Sequence, residues 1–511
     1  MERAIPRPLR FMTREWVGCT LVFLLALLVR LLGISTRPIW YDEAFSVLFA
    51  EKGLKAMLVG TLTLSPGGAA ADIHPLGYYT LLWGWMKLFG ESLVSVRSLS
   101  ILFGLGTVAL AYLLMRAMFG APRLALLGAL AVALAPFQVH YSQEVRMYSM
   151  LALALAVATC AMWQGLHSRK WAWWLLFALA AALAEYSQEL AAFFLVPLAL
   201  TPVFLRRWDK VRDTLLAGLG ALLLYLPWLV QLPAELAKIH NAYWVPPPTL
   251  ANVFTTLLSF VTNLPVASPW LPLALTAALA LLAFALYQTF RALHAHLPGA
   301  RLGAWLGWLA FAPPVLMFAI SYIWPVYLER GLIGSGVMFC LWVAWAVTCT
   351  GLPGGLRALN ALLAAAAVVI GLVTHLTYAG FPYGPYAALD ASLATRLQPG
   401  DVIIHSNKLT LLPSLYYDRT LPQAFIADPP GSSSDTLAPA TQAVLGIHAS
   451  PSVSAAAGSA RRIWFIIFQE SLTEAAAASL SSPPPLAWLD SHYHRLGVET
   501  WGPILVYVYA R

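Results

Sequence analysis

Residues 16–46 read WVGCTLVFLLALLVRLLGISTRPIWYDEAFS: an apolar run from Trp16 to Gly33, followed closely by Trp40-Tyr41-Asp42-Glu43. At about 1.5 Å per residue the run covers most of a hydrocarbon core of roughly 30 Å. It lacks a small-residue cleavage site, so it reads as a first transmembrane helix and not as a removable leader. Arg3, Arg7, Arg10 and Arg14 precede it and place the N-terminus in the cytoplasm. The aromatic and acidic residues after the run then emerge on the opposite side.

The rest of the chain extends this pattern. Of 511 residues, 60% are hydrophobic and 11% are charged, where a soluble domain carries about 25% charged residues. Much of the chain must therefore use the bilayer as its solvent. Further apolar runs fall at about 98–116, 124–140, 149–166, 171–188, 190–205, 214–231, 271–290, 302–320, 331–350 and 357–378. With the first run they predict about eleven transmembrane helices and a tail on the outer side. The segments left in the cytoplasm hold Arg116, Arg123, Arg169, Lys170, Arg206, Arg207, Lys210, Arg212, Arg291, Arg301 and Arg357 besides the N-terminal arginines. Their acids are Glu2, Glu15, Asp209 and Asp213. The net charge of +8 thus reflects orientation in a membrane. No basic and aromatic pattern suits nucleic acid. Cys19, Cys160, Cys340 and Cys349 all lie in apolar runs and read as small hydrophobes.

Two segments need separate treatment. HPLGYYTLLWGWMKLFG, residues 74–90, repeats Tyr78, Leu81, Leu82, Trp85, Leu88 and Phe89 at helical spacing, which suits a helix lying on the outer surface. Counting it as a span would invert every later loop and spoil the charge bias. Pro246-Pro247-Pro248 interrupts 232–270, and 249–262 reads as a second surface helix. From residue 379 the composition changes. Asp401–His405, Arg462–Phe468 and Ile504–Tyr509 read as strands and Leu411–Tyr417 as a helix. Residues 429–460, rich in Pro, Gly, Ser and Ala, read as a loose insertion. The expected fold is mainly α: a polytopic membrane domain, 1–378, and a small extracytoplasmic α/β domain, 379–511.

Every polar cluster of note falls on the predicted outer side. Asp42 and Glu43 could supply a general base or ligands for a divalent metal. The plainer alternative is a helix start whose acids complement the dipole. In Asp72-Ile73-His74-Pro75, the proline suits a first helical turn and His74 could meet a phosphate there; a simple cap and turn is the alternative. Within YSQEVRMY, residues 141–148, Glu144 and Arg146 are two apart and would not face each other on one helix, so each needs a partner elsewhere. An interfacial polar belt is the competing explanation. Arg330, after Glu329, runs against the charge bias and calls for an anionic partner. Glu185 and Glu189 add carboxylates on the same side, and Arg30 reads as snorkelling to the interface. Together the clusters suit a substrate with a lipid tail and an anionic head.

At these residues the chain resembles a known family. WYDEAFS, HPLGYYTLL, LFGES, VRSLS, YSQEVRMYSMLALAL and YWVPPPT, in this order, are similar to the GT-C membrane glycosyltransferases. The nearest group is the protein O-mannosyltransferase and aminoarabinose transferase superfamily, with the bacterial RgtA/B/C/D-like glycosyltransferases. The resemblance covers about residues 10–350. It implies an inverting transfer of a sugar from a polyprenyl-phosphate donor to a lipid, glycan or protein acceptor, by a multi-pass protein of the plasma (inner) membrane. Asp42 matches the family's first-loop acid, its general base or acceptor-positioning carboxylate, and Glu43 completes the pair. His74 stands where aminoarabinose transferases carry a lysine that meets the donor phosphate. Glu144 and Arg146 match the second outer-loop motif. Arg330 resembles the arginine of a late Arg-Tyr motif, although Gly331 follows it here. Some relatives bind a divalent metal near the acidic loop. Two other functions compete: a transporter or flippase of lipid-linked solutes, and a ligase or polymerase using a pyrophosphate-linked glycan.

Overall fold

The computed structural model describes residues 7–65, 70–241, 245–349, 352–429 and 436–511, with side chains except those of 7–14, 240 and 241. The chain forms two compact units. One gathers Met1–Ile34, Arg97–Val230 and Val245–Thr377; the other gathers Ser35–Val96, Gln231–Trp244 and Tyr378–Arg511.

The first unit is helical. Among the described residues of the chain, six helices are long and apolar enough to cross a membrane, or eight if two bent pairs each count as one. Other apolar runs of the expected eleven form shorter or broken helices. Ala172–Ser187 has 16 residues. Residues 190–205 divide into part of a 3-10 turn, Ala192–Ala199 with Pro197 inside, and Thr201–Phe204 opened by Pro202. Leu250–Thr262 is capped reciprocally by Thr249 and Asn252; Leu250, Val253 and Phe254 are exposed in its first half, and its second half, from Thr256, is buried.

One break positions functional residues. Pro122–Leu134 and Pro136–Ser142 meet at an angle of 57°. Pro136 has no N–H to continue the first helix, and it pushes Ala135 to an extended ψ of 118°. The short helix and the loop Gln143–Met147 after it are buried almost throughout. Two glycines make room for this packing. A Cβ at Gly104 would lie 2.2 Å from Ser142 Oγ, and one at Gly371 would lie 2.2 Å from the Thr262 carbonyl oxygen.

The second unit is built on a six-stranded sheet: β1 Asp401–His405, β2 Gln423–Ile426, β3 Ala449–Ser450, β4 Arg462–Phe468, β5 His494–Trp501 and β6 Ile504–Ala510. Its order is β3-β2-β1-β4-β6-β5. The first four are parallel, and β6 and β5 close one side antiparallel. Alternate side chains fill two cores. Ile403, Trp464, Ile466 and Phe468 pack under Tyr386, Leu389 and Leu393. On the other face Ile404, Ile463, Phe465 and Ile467 pack under Val453, Leu486 and Leu489. The predicted loose insertion is partly ordered, with helices Pro439–Leu445 and Val453–Ala457; its residues 430–435 lie outside those described. Segment 35–96 joins this unit. Arg419 pairs with Glu51 at 2.6 Å, Thr441 Oγ1 donates to Gly60 O at 2.9 Å, and Tyr416 donates to Glu91 O at 2.8 Å. Gly77–Phe89 is a helix of 13 residues, too short to span.

Candidate active site

Asp42, Glu43 and His74 belong to the sheet-containing unit. Asp42 and Glu43 stand in the first turn of the helix Tyr41–Ala50, where carboxylates favour the positive end of the dipole. Glu43 is buried, while Asp42 stays partly open to solvent. The approach to this helix is built from aromatic rings. Arg37 stacks on Tyr383 with its guanidinium carbon 4.3 Å from the ring centre and hydrogen-bonds the Tyr383 hydroxyl. Trp40 meets Tyr383 edge-on at 6.2 Å. Lys408, first residue of the helix Lys408–Tyr417, lies 5.5 Å from the centre of the Tyr41 ring.

The Asp72–His74 turn is held from two sides. Asp72 Oδ1 accepts from Ile73 N at 2.7 Å and contacts His74 Nδ1 at 2.7 Å. Lys238, on the helix Leu232–Asn241, donates to Ala71 O at 2.5 Å. Burial works against ionising Asp72, but His74, Lys238 and the Ile73 N–H outweigh it and hold the carboxyl well below the usual carboxylate range. Asp72 therefore remains an anion that fixes the His74 ring through Nδ1. Sequence reading missed Lys238, because its role depends on a helix more than 150 residues from the turn; the one available signal was a lone lysine between apolar neighbours.

Glu144, Arg146 and Arg330 belong to the helical unit. Glu144 and Arg146 lie on the loop between Pro136–Ser142 and Tyr148–His167. Both are about 2% exposed. Glu144 Oε1 is 3.1 Å from His140 Nε2. Arg330 stands over the Tyr148 ring at 5.5 Å, and Tyr148 meets Tyr141 at 4.9 Å. Arg30 does not snorkel. It is fully buried and donates to Ala133 O at 2.8 Å and Ser142 Oγ at 3.2 Å. Glu189 accepts from Tyr225 at 2.9 Å. Among the described residues no three His, Cys, Asp or Glu side chains gather as a metal-donor set, and Asp42 with Glu43 makes only two.

Comparison with known proteins gives two kinds of likeness. The family model described as dolichyl-phosphate-mannose-protein mannosyltransferase matches residues 73–230, a stretch that holds His74, Glu144 and Arg146. The undecaprenyl phosphate-alpha-4-amino-4-deoxy-L-arabinose arabinosyl transferase of Pseudomonas aeruginosa (strain LESB58) is 28% identical over 235 residues. That match covers 44% of this chain and 42% of the relative, so the chain matches less than half of that protein's length. Among solved structures, ArnT from Cupriavidus metallidurans in the apo state superposes with a TM-score of 0.62 and 14% identity, covering 97% of this chain and 98% of that one. The same protein bound to undecaprenyl phosphate gives 0.58 and 15%, covering 96% and 98%. At such identities the superposition speaks for the fold: the GT-C membrane fold, along nearly the whole chain. The resemblance seen in the motifs is therefore met in both sequence and architecture.

Proposed function

We propose that this chain is an inverting glycosyltransferase that moves a sugar from a polyprenyl-phosphate donor to an acceptor hydroxyl on the outer face of the plasma membrane. The supporting observation is a conjunction. Partly open Asp42 at a helix start, the braced His74 turn and the buried Glu144–Arg146 loop occur together in a chain with the fold of a protein crystallised with undecaprenyl phosphate.

In this proposal Asp42 orients the acceptor hydroxyl and takes its proton, with Glu43 beside it. The acceptor oxygen attacks the anomeric carbon through an oxocarbenium-like state. The bond to polyprenyl phosphate breaks, and His74, Arg146 and Arg330 meet the departing charge. Phosphate leaves readily at neutral pH, so no strong acid is required. Glu144, the acid of the second outer-loop motif, lies in the same loop as Arg146. The acceptor class is a lipid, glycan or protein. The sidedness rests on the charge bias, with the N-terminus cytoplasmic and 379–511 outside as the extracytoplasmic domain. Among the described residues no third His, Cys, Asp or Glu joins Asp42 and Glu43 as a metal donor, and the two act here as carboxylates.

The test is sugar release or transfer from a panel of radiolabelled polyprenyl-phosphate sugars, using purified full-length protein and Asp42→Asn. Wild type should act, and the variant should lose roughly 10²–10⁴-fold. Equal activity in both would remove Asp42 as base. Silence of a folded wild type across the panel would overturn the donor assignment in favour of transport or a pyrophosphate-linked donor.

A further inference from the structure

Glu144 joins a chain of buried hydrogen bonds whose hydrogens can be counted. Gln143 gives both amide hydrogens to backbone carbonyls, Arg30 O at 2.8 Å and Leu32 O at 2.7 Å. That fixes which end of the amide is oxygen. Gln143 Oε1 therefore accepts, and His375 Nε2, 2.6 Å away, carries a hydrogen. His375 Nδ1 and His140 Nδ1 are 3.1 Å apart and need one hydrogen between them. His140 Nε2 and Glu144 Oε1, also 3.1 Å apart, need another. Three contacts require three hydrogens, and two neutral imidazoles supply two. The third is an added proton. Without it, an ionised Glu144 beside two neutral rings sets lone pairs against each other at one of these contacts.

We propose that His140 and His375 are positioning residues that keep this proton with Glu144, so that the trio is neutral overall and Glu144 does not serve as a second carboxylate base. The inference rests on the transferase reading for its use. A neutral trio lets an anionic headgroup approach the loop without meeting a repelling carboxylate, and it leaves proton removal to Asp42. Charged and titratable groups near the trio include Arg30, which reaches Ser142 beside Gln143, Arg97, which donates to Ile34 O at 2.8 Å, Arg146 in the loop, Arg330 over Tyr148, and Tyr141 edge-on to His140 at 4.7 Å. Leu250–Thr262 and Ile333–Thr348, packed on Pro136–Ser142, add only Cys340. Removing the added proton at high pH sets those lone pairs against each other, so kcat/KM should fall on the alkaline side.

Two measurements on the full-length protein test this. The first is the pH profile with an undecaprenyl-phosphate-linked sugar. Glu144→Gln supplies an amide hydrogen to His140 and should lose roughly tenfold while its alkaline limb disappears; Glu144→Ala should lose roughly a hundredfold. His375→Ala should lower kcat more than it changes KM, and His375→Asn should recover part of the loss. Equal losses in Gln and Ala, with the alkaline limb intact, would overturn the proposal. The second needs no turnover: ring nitrogen-15 spectra of histidine and the infrared carboxylic-acid band. Either three of the four ring nitrogens of His140 and His375 carry hydrogen, or an acid band vanishes in Glu144→Gln. Two neutral rings beside an ionised carboxylate would overturn the inference whether or not sugar moves. A silent enzyme with the proton in place would count against the transferase reading alone.

Discussion

The two groups of candidate residues are held in contrasting ways. Asp72 and His74 fix each other two residues apart, and Asp42 takes its place from a helix start immediately around it. Glu144 is held by partners drawn from distant stretches: His140 nearby, but then His375 and the carbonyls of Arg30 and Leu32, more than 100 residues away in either direction. Asp42, Asp72 and His74 are partly exposed and belong to short motifs, with Lys238 bracing the His74 turn from far along the chain. The network-held residue is buried and depends on the whole helical unit. Substitutions in the first group should therefore cost activity with little stability, and those in the second should cost both.

The sharpest contrast is expected between Asp42→Asn and Gln143→Ala. The first should reduce turnover by roughly 10²–10⁴-fold. Its thermal melt should move by an amount worth no more than about 0.3–1 kcal/mol, the value of an acid at a helix start. Gln143→Ala strands two buried carbonyls and should lose about 1–3 kcal/mol of stability along with activity. A cold-stable, inactive Gln143→Ala would break the comparison. Next in size, Asp72→Asn should raise KM for the donor roughly tenfold by releasing the His74 ring, with kcat less affected. Unchanged KM would show that His74 needs no bracing.

The smallest effects belong to the sheet, where two buried groups should pull against each other. Burial, aided by Asp418 and opposed by the Ser414 hydroxyl, pushes the Asp390 carboxyl up to about 7 from its ordinary 3.8. Its stabilising contribution is present below 3.8 and is lost as pH rises through 7. Burial holds the His405 ring down to about 3 from its ordinary 6.5, against the Gln423 hydrogen bond. Its contribution is present above 6.5 and is lost as pH falls toward 3. Between about 4 and 6.5 the slopes oppose one another. Asp390→Asn should expose a melting temperature that drops with acid, and His405→Gln one that drops with rising pH, each by a few degrees. Parallel curves for both variants would refute the opposition.

What the sequence made legible follows the same division. The apolar runs, the WYDE and His-Pro motifs and the YSQEVRMY loop are local patterns, and they led to the GT-C fold and to five of the six candidate residues, Arg330 coming from the charge bias. Strands Asp401–His405 and Arg462–Phe468 were readable from β-branched and aromatic runs. Gln423–Ile426 was not, being four residues long. His494–Trp501 was overlooked although Leu496 and Val498 carry a period of two; it is an edge strand, exposed enough that its hydrophobic content is low. Lys238, His140 and His375 were invisible because nothing in their neighbourhoods announces a partner that folding brings from far along the chain. Prolines inside apolar runs hide where a helix breaks, because composition still says membrane where the backbone no longer continues a single helix.

The bend at Pro136 has a consequence for how this loop can change. From that fixed corner only seven residues, Pro136–Ser142, lead to Gln143. Each residue added or removed would turn everything beyond it by about 100° about the helix axis. His140 would then swing away from His375, and Gln143 from its two carbonyls. The short helix acts as a length gauge: its residue count sets where His140 and Gln143 arrive.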